Sequence, residues 1–179
     1  MSKNKIQKKT KQELSNDFKQ KVVRLEQVMI ANADGENIIA GTKDKPIVTD
    51  SDKIPIEHFF MKGVYVREMK MFKGTAVVGA IHKHLLMCFL LSGYLTVTDE
   101  NGTNDYVAPC YIISSPGIKR VLYAHEDSVW YNVHENPSNT KNIKEIEDNL
   151  GKVQTRSLKP EYYQKVKEDV SLHMRQNEN

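Results

Sequence analysis

The 179-residue chain is short of several things, and each shortage excludes something. It has two cysteines, Cys88 and Cys110, both inside apolar runs and in no Cys-x-x-Cys or disulfide-scaffold pattern. A disulfide-stapled domain is therefore excluded, and two free thiols in a reducing compartment are expected. No apolar run approaches the roughly 20 residues that span a bilayer, so no membrane partner is expected. The N-terminal MSKNKIQKKTKQ is basic but lacks the apolar stretch of a secretory signal, and the chain is expected not to be secreted. A Gly-rich phosphate loop, a nucleophile elbow and a His-Glu-x-x-His pair are all missing, which removes the hydrolase and nucleotidase classes built on them. What remains is 39% hydrophobic and 27% charged, the composition of one globular domain with extensions.

Charge is unevenly spread. Residues 1–24 hold eight Lys/Arg against Glu13 and Asp17, a local +6 in a chain whose net charge is +3. Thr10 and Glu13 have capping-box spacing, and Leu14, Phe18, Val22, Leu25, Val28 and Met29 recur at helical steps, so the spacing predicts an amphipathic helix over 10–32. A basic arm of this kind (1–36) has three uses: holding nucleic acid or a virion protein, contacting a second copy, or packing on its own domain with its lysines solvated. Phe18 is the single aromatic residue among the lysines, short of what a nucleic-acid stacking platform requires.

Residues 37–56 form a lead-in broken by Gly41, Pro46 and Pro55. From 57 to 135 the chain turns to short β-branched and aromatic runs: VYVREMKM, TAVVGAIHKH, MCFLLSGYLTVT, DYVAPCYII, KRVLYA and VWYNVH. Turn signals such as Lys73-Gly74, Asn101-Gly102 and Pro116-Gly117 separate them. This spacing predicts a mainly β, antiparallel sandwich or barrel. A C-terminal extension, 136–179, carries two helical patterns, one over 141–150 and one from Pro160 to about Gln176.

Within "GAIHKHLLMCFLLSG", His82 and His84 stand one residue apart. On a strand, that parity points both imidazoles to one face. Such a pair begins a metal site, an anion site or a polar patch in a barrel mouth. The bland alternative is a pair of histidines hydrogen-bonded across strands, with Arg120 paired to Glu68 or Asp127.

The order strand, His-x-His, apolar strand ending in Gly, hairpin, and Pro-Gly turn resembles the cupin superfamily, small jelly-roll barrels. The phrases "HFFMKGVYVREM", "GAIHKH" and "SPGIKRVLYAHEDSVWYNVH" are similar to small cupin-like proteins encoded by tailed bacteriophages, over about residues 57–150. The resemblance implies an antiparallel cupin-type jelly-roll barrel with helices at both ends. It implies a place in the host cytoplasm or the virion, and no shared chemistry. Metal-binding cupins use two histidines and a glutamate from the first motif and a histidine from the second. Here His82 and His84 match the first two. Leu86, Cys88 and Phe89 fall where the glutamate is sought, and Arg120 stands for the last histidine.

A guanidinium cannot coordinate a cation, and two imidazoles fall short of the usual three or four protein ligands. Only His134 offers itself as a third ligand with His82 and His84, so no cofactor is expected, with metal as the lesser reading. His82, His84, Arg120 and Arg67 suit an anion better, with Tyr111, Trp130 or His134 beside it, because arginine grips carboxylate and phosphate in bidentate fashion. The expectation is a non-enzymatic, homo-oligomeric binder of a small anionic, nucleotide- or sugar-like ligand, of use to a phage in sequestering a host-defence signal. Two alternatives stand beside it: a virion or assembly scaffold, and a metal-dependent cupin enzyme with an incomplete ligand set. His82 or His84 as base with Tyr111 or Tyr131 as acid would serve an epimerase.

Overall fold

The computed structural model describes residues 11–31 and 54–149. The lead-in up to residue 53 and the helix expected after Pro160 lie outside them. Helix α1 (Lys11–Ala31) precedes nine strands: β1 (Ile56–Met61), β2 (Gly63–Met71), β3 (Ala76–Val78), β4 (Leu86–Ser92), β5 (Tyr94–Asp99), β6 (Gly102–Val107), β7 (Cys110–Ser114), β8 (Val121–Ala124) and β9 (Ser128–Asn136). Helix α2 (Ile143–Asn149) follows, its first turn capped by the Asn142 side chain, which accepts from the amides of Lys144 and Glu145.

All strand pairs are antiparallel and fall into two sheets, β1-β2-β9-β4-β7 and β3-β8-β5-β6. The order β2-β9-β4-β7 against β3-β8-β5-β6 is that of a jelly roll, with β1 added at one edge. The expected mainly β jelly roll with terminal helices is thus the fold. Its core draws Met69, Leu86, Leu90 and Trp130 from the larger sheet and Leu95, Val97 and Leu122 from the smaller. Alternation sets this arrangement: along β2, Tyr65, Arg67, Met69 and Met71 face inward. Complete burial of side chains such as Leu90 and Leu95 stabilises by about 1.5–3 kcal/mol each.

Gly93 is fixed by geometry. It joins β4 to β5 at φ +89°, and a Cβ there would collide with the Ser128 hydroxyl and the Asp127 carbonyl. That answers why the apolar run of β4 ends on glycine.

One expectation is corrected. The run 75–84 is not a continuous strand, because β3 stops at Val78. Gly79 still donates to the Arg120 carbonyl, Gly117 donates to that of His82 and Ile81 keeps an isolated bridge, but the chain then bends at Lys83 and His84. His82 and His84 therefore do not share a strand face.

Candidate functional site

The space between the sheets opens toward one end as a cavity of about 160 Å³. Its floor is apolar, with Met69, Leu86, Leu122 and Trp130. Its polar wall carries Arg67, Asn132, His82, Arg120 and Lys119. Register builds this wall: Arg67 on β2 lies opposite Asn132 on β9, which lies opposite Cys88 on β4. The Trp130 indole donates to the Asn132 carbonyl oxygen at 2.8 Å, which leaves the Asn132 amide as a donor.

Above this layer lies a stack of rings. Tyr65 sits between Phe60 and His134, at 5.5 and 5.6 Å between centroids, and His134 is 5.3 Å from His82. The Tyr65 hydroxyl is 2.7 Å from His58 Nδ1 and accepts from Arg67 Nε at 3.1 Å. Burial raises the Tyr65 pKa, against the opposing pull of Arg67.

Of the residues singled out in the sequence, the fold brings Arg67, His82, Arg120 and Trp130 to the cavity wall. His134 joins them indirectly, through its ring contacts with His82 and Tyr65. His84, in the bend, does not line the cavity, and neither does Tyr111. Tyr111 projects from the outer face of β7, 64% exposed, because β7 places Tyr111 and Ile113 outward. Tyr131, the other acid considered for an epimerase, donates instead to Glu68.

Two carboxylates that sequence reasoning missed pair with cations of the cavity wall. Glu147, brought by α2, is buried and accepts from Arg67 Nη2. Burial disfavours the Arg67 cation, yet Glu147 and the Tyr65 hydroxyl outweigh that cost and hold its pKa above the ordinary value. Glu26, brought by α1, lines the cavity and accepts from Lys119 Nζ at 2.7 Å, both side chains being buried. Helix α1 thus lies on its own barrel, with Val22 buried and Lys19 in an ion pair with Glu100. The signal for both was available only as acids on helix faces, which in sequence look solvent-directed.

Arg120 differs from the other two cations. Its Nε is buried without a hydrogen-bond partner among the described residues, and its nearest acid is Asp99, 3.8 Å away. Asp99 accepts from the Asn101 amide at 2.7 Å. Cys88 sits beside Arg120: burial pushes its thiol up to about 12, with the guanidinium pulling the other way.

The set of three histidines and a glutamate used by metal-binding cupins is not assembled. No cluster of three His, Cys, Asp or Glu occurs among the described residues. His82 and His134 approach one another, His84 stands apart, and a guanidinium lines the space between the sheets. No described helix is long and apolar enough to cross a membrane.

No protein-family model matches the sequence, nor does any curated protein at a significant level. Solved structures with a similar chain path include a conserved protein of unknown function from Streptococcus pyogenes, 21% identical over 50% of this chain and 80% of that one, with a TM-score of 0.42. A cupin superfamily protein from Desulfitobacterium hafniense is 10% identical over 53% of this chain and 94% of that one, TM-score 0.44. Salicylate 1,2-dioxygenase from Pseudoaminobacter salicylatoxidans is 10% identical over 75% and 34%, TM-score 0.47. The solved structures that this chain resembles thus include cupin superfamily proteins, both enzymes and proteins of unknown function, and the likeness is one of fold.

Proposed function

We propose that the protein is a non-enzymatic binder of a small, singly charged anion, held in the barrel cavity against Arg120. The observation that carries this reading is the buried Arg120 Nε, which has no hydrogen-bond partner among the described residues. Burying such a donor unpaired costs about 1–3 kcal/mol, and more when it is charged. A ligand carboxylate removes that cost. Arg67 and Lys119 are matched at hydrogen-bond distance by Glu147 and Glu26, whereas Arg120 has only the looser ion pair with Asp99 at 3.8 Å, so its guanidinium can still grip a ligand, with the Asn132 amide as a second donor and His82 nearby.

Volume narrows the ligand. A cavity of about 150 Å³ holds benzene, whereas pockets for drug-sized molecules run about 300–1,000 Å³. At about 160 Å³ the space between the sheets suits a small carboxylic acid better than a nucleotide. A nucleotide, as in the reading of a phage protein that sequesters a host-defence signal, requires α1, which brings Glu26 to the lining, to move aside. The similarity to phage-encoded proteins supports placing the binder in an infected cell's cytoplasm.

The test uses Trp130, the only tryptophan, which lines the cavity. Its fluorescence is titrated with formate, acetate, benzoate and inorganic phosphate. Saturable binding of a carboxylate is expected, tighter than that of phosphate. In Arg120→Ala it weakens by about 10- to 100-fold, the loss of one charge-assisted hydrogen bond. Binding unchanged in that variant, or no saturable binding of any of the four, overturns the reading.

A further inference from the structure

Given the anion site proposed above, on which this step rests, we infer that Glu26 of α1 determines its specificity. The helix supplies an internal carboxylate that fills the place of a ligand's second carboxylate, so the cavity takes monocarboxylates and rejects dicarboxylates.

The lining itself carries this assignment. Lys119 and Arg120 are consecutive residues between β7 and β8, and both line the cavity. Two cations on one stretch of wall suit a small dicarboxylate, one carboxylate on each. Glu26 also lines the cavity and takes Lys119, accepting from its Nζ at 2.7 Å. Arg120, whose acid Asp99 stands off at 3.8 Å, keeps its capacity for a ligand. A second ligand carboxylate therefore meets the Glu26 carboxylate beside Lys119, and like charges repel strongly where water is excluded. Glu147, the acid on α2, pairs with Arg67 but is not part of the lining, so it has no such effect.

Docking of the helix does not by itself call for this charge. Lys19, Val22 and Glu26 follow one another at steps of three and four, on one face of α1, and all three are buried. Lys19 pairs with Glu100 and Glu26 with Lys119, so charge holds most of that face. A buried ion pair contributes little over an apolar pair of similar volume. An apolar pair at positions 26 and 119 would seat α1 equally well, and the cavity that both residues line accounts for their charges.

The test titrates Trp130 fluorescence with malonate and with monomethyl malonate. At about pH 7.5 the first carries two charges and the second one. The parent protein should bind the monoester more tightly. In Glu26→Gln, malonate should gain about 10- to 100-fold on the monoester, the worth of one charge-assisted hydrogen bond to Lys119. Adding Lys119→Met should abolish that gain. A parent that binds malonate as well as the monoester overturns the assignment, and this comparison decides it even where Glu26→Gln fails to fold. An unchanged ratio in Glu26→Gln overturns it too, as does a gain that survives Lys119→Met; in both cases the Arg120 site still stands if the parent binds the monoester. A parent that binds neither compound, beside a Glu26→Gln variant that binds malonate through Lys119, upholds the role of Glu26 and removes the singly charged ligand.

Discussion

Arg67 on β2, in the cavity wall, donates to Glu147 on α2, eighty residues later, and the pair is buried. The contact ties a short C-terminal helix to the wall of the cavity and takes one cation out of ligand binding. It is joined by a small apolar contact, Ile146 against Tyr65.

A buried pair contributes little over an apolar replacement, but losing one partner strands a charge. Glu147→Gln should therefore lower unfolding stability by about 3–5 kcal/mol in urea titration. The double variant Arg67→Met, Glu147→Leu should recover most of the loss. If both variants are equally unstable, the pair is not what holds α2.

The second helix makes the corresponding contact, with Glu26 of α1 against Lys119. Glu26→Gln leaves a buried ammonium without its carboxylate and should loosen α1 from the mouth. Because Trp130 lines the same cavity, its emission should shift to the red and its quenching by acrylamide should rise. Unchanged emission together with an unchanged melting temperature would mean that α1 does not depend on this contact.

The barrel was legible because strand formation is local. β-branched runs and turn residues such as Lys73-Gly74 and Pro116-Gly117 mark most of the strands. Arg120 was legible through the cupin motif, in which it stands for the last histidine, and Arg67 and Trp130 as a cation and an aromatic ring inside predicted strands, though their facing was not. What failed did so for physical reasons. "TAVVGAIHKH" has the composition of a strand throughout, but pairing with β8 ends at Val78, and nothing in the side chains marks that point. "CYII" has no alternation, so its facing cannot be read, and Tyr111 turned out to face outward. Glu26 and Glu147 meet cations 93 and 80 residues away, a proximity set by packing and not by any local pattern.

The last prediction concerns Cys88, at the centre of the wall. Burial moves its thiol from the ordinary 9.0 up to about 12, so at pH 8 it is protonated and sheltered from solvent. Cys110 is raised by the same cause but is only partly buried. A thiol reagent at pH 8 should label Cys110 first, and Cys88 only after unfolding. The raised value also makes stability depend on pH. Below pH 9 the thiol is protonated in both folded and unfolded chains, and its contribution is fully present. Between about 9 and 12 the unfolded chain releases the proton while the folded one keeps it, so stability falls as pH rises through that window. Cys88→Ala should begin less stable, having lost buried volume. It should also show a shallower decline between pH 9 and 11 in parallel urea titrations. Equal slopes in the two proteins, or rapid labelling of Cys88 in the folded state, would show that the thiol is not held in this way.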